Sequence, residues 1–333
     1  MRFSVGIVGN EPLPKLVEYV KLAEDLGYYG AWIADTQLVI REAYVIMAAC
    51  AMRTSRIKLG TGVTMPHTRH PSVTASAFAT LNEIAPGRLR VGISIGDTAL
   101  RTIGRRRATI KELEEYVSLL RGLLDNRKVP FEGGVEGKIA WMEAPPEIPI
   151  YVAATGPRLT RAAARMSDCV MLLRGVAAAN LEDGIKSVRE VASQAGRSPD
   201  RMDVVAWAPT SMAPDRALAR GHAQILVAEV LKMCDLGMFG EEDRPTIQRI
   251  QEEYDLFHQS WTYSDDRAPV PDKFIDMFAL VGTPEEVRGQ VVKLAEVDGL
   301  NEIVIAARRL RGGKSPPVEW VLRNFAEGVM GRV

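Results

Sequence analysis

Three observations predict an α/β chain folded as a (β/α)8 TIM barrel with insertions. Eight short apolar runs alternate with segments of helical periodicity along the 333 residues. These runs end repeatedly in small or polar residues and then enter helices, as strands do at the C-terminal mouth of a barrel. No strand passes directly into a Gly-x-Gly-x-x-Gly turn, which argues against a doubly wound dinucleotide fold.

The elements can be placed in order. A strand is predicted over 3–8, ending at Gly9-Asn10-Glu11-Pro12, and a helix over 13–26 carries Leu16, Val17, Val20, Ala23 and Leu26 at helical spacing. Gly27 stops that helix. The second strand, 30–35, ends on Asp35, and a helix of small and apolar residues follows over about 42–52. The third strand, 58–64, carries Gly60, Gly62 and Thr64 and precedes a Pro-broken loop and a helix over 72–84. The fourth, 89–96, ends at Asp97, and a loop with Arg101, Arg105, Arg106 and Arg107 leads to a helix over 110–124.

Residues 128–147 break the rhythm, and 131–138 within them read as a short hairpin inserted before the fifth strand. The fifth strand, 149–154, ends at Thr155-Gly156-Pro157 and enters a helix over 158–166. The sixth strand is predicted over 168–173 with a helix over 180–195, and the seventh over 203–208 with a helix over 214–231. Residues 234–278 lose the pattern and read as a second insertion lying over the site, with Tyr254, Phe257, Trp261 and Tyr263 either covering the substrate or packing a surface. Thr283, Pro284 and Glu286 start a helix to 297 as N-cap, N1 and N3. The eighth strand is 302–306, and a last helix spans 318–330. The whole is one domain, 1–333.

Composition narrows the function classes. Lys+Arg and Asp+Glu are both 42, so no net field draws nucleic acid or an anionic membrane. The three cysteines, Cys50, Cys169 and Cys234, are too scattered for a disulfide framework or a metal motif, which suggests a reducing, cytoplasmic setting. No signal peptide and no membrane-length apolar run is read. His67, His70, His222 and His258 form no metal-spaced pair, and no metal is expected.

In such a barrel the site lies at the C-terminal strand ends, which here carry Asn10, Asp35, Thr64, Asp97, Thr155-Gly156, Arg174 and Thr210. Gly60 and Gly62 allow a bend or a close approach by something flat; the plainer alternative is a bulge that only closes the barrel. Thr155, Gly156 and Arg158 open a helix and suit an anion such as a phosphate, although an ordinary N-cap has the same look. Asp35 and Asp97 could accept a hydrogen bond from a ring N–H or act as acid or base, and equally could be caps. The arginines at 101–107 read as a solvated cluster or as a seat for a polyanionic tail.

Several segments resemble one known superfamily in the same order: Asn10-Glu11-Pro12, Trp32-Ile33-x-Asp35, Leu59 to Thr64 with Pro66, Thr74 to Leu81, Gly92-Ile93-x-x-Gly96-Asp97, Ile148 to Tyr151 with Gly156-Pro157, and Val281 to Pro284. The chain is similar to the bacterial luciferase-like proteins, most of all to the methylenetetrahydromethanopterin reductases, which use the deazaflavin coenzyme F420. The resemblance implies a dimeric luciferase-like barrel with a cis peptide at Gly62-Val63 supporting the cofactor ring. It implies that Asp35, Val63, Thr64, Ile95, Gly96 and Asp97 border the ring or its side chain, and that the cofactor phosphate meets Thr155, Gly156, Arg158 and Leu159. Two positions depart from it: Gly6 stands where the reductases carry glutamate, and Thr36 where they carry histidine after the aspartate.

The expected function is hydride transfer between F420 and an electrophilic carbon of a small organic substrate, with Asp35 or Asp97 as proton donor. An FMN-dependent monooxygenase and a non-catalytic flavin-binding barrel are the alternatives.

Overall fold

The computed structural model describes residues 1–253, 269–309 and 315–333. Its strands, in chain order, are β1 (Arg2–Ile7), β2 (Gly30–Ile33), β3 (Lys58–Thr61), β4 (Leu89–Ile93), β5 (Val129–Pro130), β6 (Glu136–Gly137), β7 (Ile150–Ala154), β8 (Cys169–Leu172), β9 (Asp203–Met212), β10 (Leu280–Gly282) and β11 (Glu302–Ala306). Parallel pairing runs β9-β11-β1-β2-β3-β4-β7-β8, and the β8–β9 ladder closes the ring. The eight predicted barrel strands are those eight. An antiparallel ladder, β5–β6, does lie in the first insertion, with Val129 opposite Gly137, but its first strand, Val129–Pro130, precedes the expected hairpin at 131–138.

One strand escaped the sequence pattern. β10 pairs in parallel with the far end of β9, Leu280 to Thr210 and Gly282 to Met212, so β9 runs four residues beyond its predicted end. A three-residue apolar run beside a strong helix start carries too little periodicity to be read as a strand.

The strands are buried on both faces, and their alternation sorts two cores. Phe3, Val5, Ile7, Ala31, Ile33, Leu59, Leu89, Val91, Ile93, Ile150 and Val152 face outward and pack under the helices. Trp32, Tyr151, Cys169, Met171, Val205 and Val304 fill the barrel interior. Deep inside lies one ion pair: Arg90 Nη1 donates to Glu302 Oε2 at 2.8 Å, with both side chains 2% exposed or less. Trp32 Nε1 donates to Glu302 Oε1 at 3.0 Å, and the Arg90 guanidinium lies 4.1 Å from the Trp32 ring centre. Gly30 makes room for it, since a Cβ there would sit 1.8 Å from Arg90 Nη2.

The second insertion has its own apolar cluster. Phe239, Ile247, Ile250, Phe274, Ile275 and Phe278 pack on Ala219, Ala223, Val227 and Leu231 of the helix Arg216–Met233. Tyr254, Phe257, Trp261 and Tyr263 lie outside the described residues.

Candidate active site

The chain leaves the β3 ladder after Thr61 and rejoins β4 at Thr64, which bridges Ile93. In between, Gly62 N donates to Ile33 O at 2.6 Å, and the Gly62–Val63 peptide is cis, as the resemblance implied. Thr61 Oγ1 fills the gap in the ladder, donating to Gly92 O at 2.7 Å and accepting from Gly92 N at 3.1 Å. Thr64 N and Thr64 O then bond Gly92 O and Ser94 N. The bulge is thus pinned on both flanks.

Above it opens a cavity of about 270 Å³ at the C-terminal ends of the strands. Asp35, Gly62, Val63, Ile95, Gly96, Asp97, Thr155 and Leu159 all line it. Three expected residues do not. Thr64 is fully buried beneath the bulge, where Tyr44 Oη lies 3.4 Å from its hydroxyl. Gly156 and Arg158 sit just outside the lining, and Arg158 is exposed. Gly156 is the N-cap of the helix Pro157–Met166, and a Cβ built on it would meet nothing within 4 Å. The helix start therefore faces open space, with backbone N–H groups at its first turn. Arg174 and Thr210 are held elsewhere, by Asp183 and by the carbonyl of Ala208.

Each acid is tied to a cation. Asp35 is buried, and Arg69 Nη1 donates to its Oδ2 at 2.6 Å. Burial pushes the Asp35 carboxyl up, opposed by the Arg69 charge and by the Thr64 hydroxyl. Asp97 has an 8% exposed side chain and accepts from Arg107 Nε at 3.0 Å on Oδ1, while Lys232 Nζ stands 3.5 Å from Oδ2. Lys232 also donates to the Thr98 hydroxyl. Burial lowers the Lys232 pKa, and the Asp97 charge pulls against that shift. Glu229 and Arg308 face each other across the same cavity at 2.6 Å.

Both oxygens of Asp97, the expected proton donor, thus face cations. Lys232 escaped the sequence reading because it lies at the end of a helix of ordinary pattern, far along the chain from Asp97. Trp207 was likewise missed. It stands on an inward position of β9 and lines the cavity. A Cβ on Gly6 would lie 2.8 Å from Trp207 Cη2, and one on Gly62 would lie 3.3 Å from the same ring. The indole therefore fills the space into which any side chain at position 6 would project. His67 and His70 take structural roles: His67 Nε2 lies 3.5 Å from Glu112 Oε1, and His70 caps the helix Pro71–Ile84. Among the described residues no group of three or more His, Cys, Asp or Glu could hold a metal ion.

The model of a family described as luciferase-like monooxygenase matches residues 1–300. A 5,10-methylenetetrahydromethanopterin reductase of Archaeoglobus fulgidus is 31% identical over 318 residues, covering 91% of this chain and 92% of that protein. An F420-dependent glucose-6-phosphate dehydrogenase of Nakamurella multipartita is 31% identical over 281 residues, covering 79% and 81%. The coenzyme F420-dependent tetrahydromethanopterin reductase from Methanopyrus kandleri superposes with a TM-score of 0.80 at 24% identity, over 99% of this chain and 98% of that one, and so has the same fold.

Proposed function

The chain belongs to the luciferase-like monooxygenase family, and on that premise we propose that it is a coenzyme F420-dependent oxidoreductase. It passes a hydride between the deazaflavin and an electrophilic carbon of a small organic substrate. The observation that carries this reading is the convergence of Asp35, Gly62, Val63, Ile95, Gly96, Asp97 and Thr155, from four strand ends, on one cavity. The relative named for F420 supports the deazaflavin over FMN.

The residues present fit such a cofactor. The Gly62–Val63 bulge with Ile95 and Leu159 offers apolar support for a flat ring, and the unobstructed space at Gly156 leaves the helix start open to a phosphate. Arg158 adds a positive charge at the rim. Asp35, paired with Arg69, is placed to accept a hydrogen bond from a ring N–H. Asp97 holds Arg107 and Lys232 beside the cavity. When bound, the deazaflavin supplies the hydride chemistry, and the protein positions it and excludes water.

The test is a fluorescence titration of the purified protein with F420 and, separately, with FMN. Tight F420 binding with weak FMN binding supports the reading. Preference for FMN would move the protein to the monooxygenase branch, and binding of neither would leave a non-catalytic barrel.

Two further points belong to the proposal. A homodimer is supported by apolar residues exposed on the adjacent helices Ala43–Arg53 and Pro71–Ile84: Val45 at 57%, Met52 at 71%, Val73 at 54% and Ile84 at 41%. A cytoplasmic setting is supported by three free, buried thiols.

A further inference from the structure

We propose that the substrate is an uncharged, mostly apolar carbonyl compound, and that the Lys232 ammonium gives the proton to its oxygen. This rests on the hydride-transfer reading above and adds a substrate class and an acid to it.

Charge pairing supports the substrate class. Among the described residues lining the cavity, every charged side chain already has an opposite partner: Asp97 with Arg107 and Lys232, Glu229 with Arg308, and Asp35 with Arg69. An anionic substrate would have to break one of these pairs, at a desolvation cost with no uncommitted cation among the described lining residues to offset it. On the wall built by the helix Arg216–Met233 and the second insertion, Leu226, Val230, Met233 and Phe278 present apolar surface beside the paired Glu229 and Lys232, with the Trp207 indole nearby. A side chain at position 6 that could meet a charged or polar ring system is excluded by that indole.

The acid follows from what hydride addition demands. A hydride brings two electrons to the carbonyl carbon and forms a C–H bond there. The π pair of the C=O moves to oxygen, which must take a proton as the Lys232 N–H bond breaks. The carbonyl is reduced to an alcohol, the deazaflavin is oxidised, and the neutral amine regains its proton from water. Both Asp97 oxygens face cations and Asp35 is paired with Arg69, so we assign the proton to the Lys232 ammonium beside them. Lys232 lines the cavity with a side chain only 2% exposed, held by Thr98 and Asp97. Burial makes its proton easier to release than that of a surface lysine.

The experiment uses the purified full chain, reduced F420, and three probes: cyclohexanone, benzaldehyde and the anionic ketone pyruvate. Appearance of oxidised F420 reports turnover, and F420 affinity is measured in parallel for the wild type, Lys232→Met and Lys232→Arg. The expected result is turnover of the two uncharged carbonyls well above that of pyruvate. Lys232→Met should lose about a hundredfold or more in kcat at unchanged F420 affinity, with the alkaline limb of the wild-type pH profile flattened, and Lys232→Arg should recover neither. Unchanged affinity shows that the variant is folded. Preference for pyruvate, or F420 binding without turnover of either uncharged probe, overturns the substrate class. Wild-type kcat in Lys232→Met overturns the acid. Failure of the wild type to bind F420 at all removes the hydride-transfer reading, and this inference falls with it.

Discussion

Glu302 and Arg90 sit where a barrel ordinarily places aliphatic side chains. Their carboxylate and guanidinium satisfy each other and the Trp32 indole, but two Arg90 nitrogens, Nε and Nη2, have no protein partner. Removing one member strands the other's charge in the interior. Glu302→Leu is therefore expected to destabilise the fold by ~3–5 kcal/mol, read as a fall in the urea midpoint; an unchanged midpoint would show that the pair is dispensable. His222 offers a second residue-scale test. The Ser211 hydroxyl donates to Ala219 O, so His222 Nδ1 donates to Ser211 at 2.9 Å, while Nε2 is buried without a partner. Burial, helped by the nearby Arg308 charge, lowers the His222 pKa from 6.5 to about 3. The folded pKa lies below the unfolded one, so the stabilisation from a neutral ring is complete above pH 6.5 and is lost as pH falls towards 3. The slope approaches ~1.4 kcal/mol per pH unit. Unfolding curves of His222→Gln should show a shallower acid loss than the wild type over that window, and parallel curves would refute the assignment.

At the scale of elements, caps and periodicity were the legible part. Thr283 and Glu286 form the predicted capping box, with Thr283 N donating to Glu286 Oε2 at 2.8 Å. Thr283→Ala should cost ~1 kcal/mol in chemical denaturation and leave F420 binding alone. The bulge after β3 was legible from Gly60 and Gly62, and Asp35, Gly96, Asp97 and Thr155 from their places just past apolar runs. What stayed hidden depends on contacts between distant elements. Nothing near Lys232 in the sequence signals that its amine reaches a carboxylate on a loop from the opposite part of the chain. Gly6 could be seen as a departure, but only the fold shows the β9 indole occupying its space. Arg158 reads as a charge at the phosphate seat, and the fold holds it exposed at the rim rather than in the cavity lining.

For the molecule as a whole, the neutral charge balance and the single closed ring were correctly anticipated, and the interface is the feature left to measure. Val45 and Met52 lie seven residues apart on one helix face, two turns along a continuous stripe. Light scattering should give twice the monomer mass of 36.6 kDa for the wild type and the monomer mass for the Val45→Glu, Met52→Glu variant. A wild-type monomer at micromolar concentration would sink the dimer.

The β9–β10 ladder has a consequence for how such enzymes diverge. The described part of the second insertion carries an apolar cluster and pairs with the far end of β9 through three residue pairs outside the closed ring. The ring and the floor of the cavity do not depend on it for closure. The segment from Ala213 to Val281 is in effect an exchangeable cassette, and the amine at 232 travels with the wall it serves. Grafting the corresponding stretch from a relative should transplant a substrate range while the cofactor seat stays native.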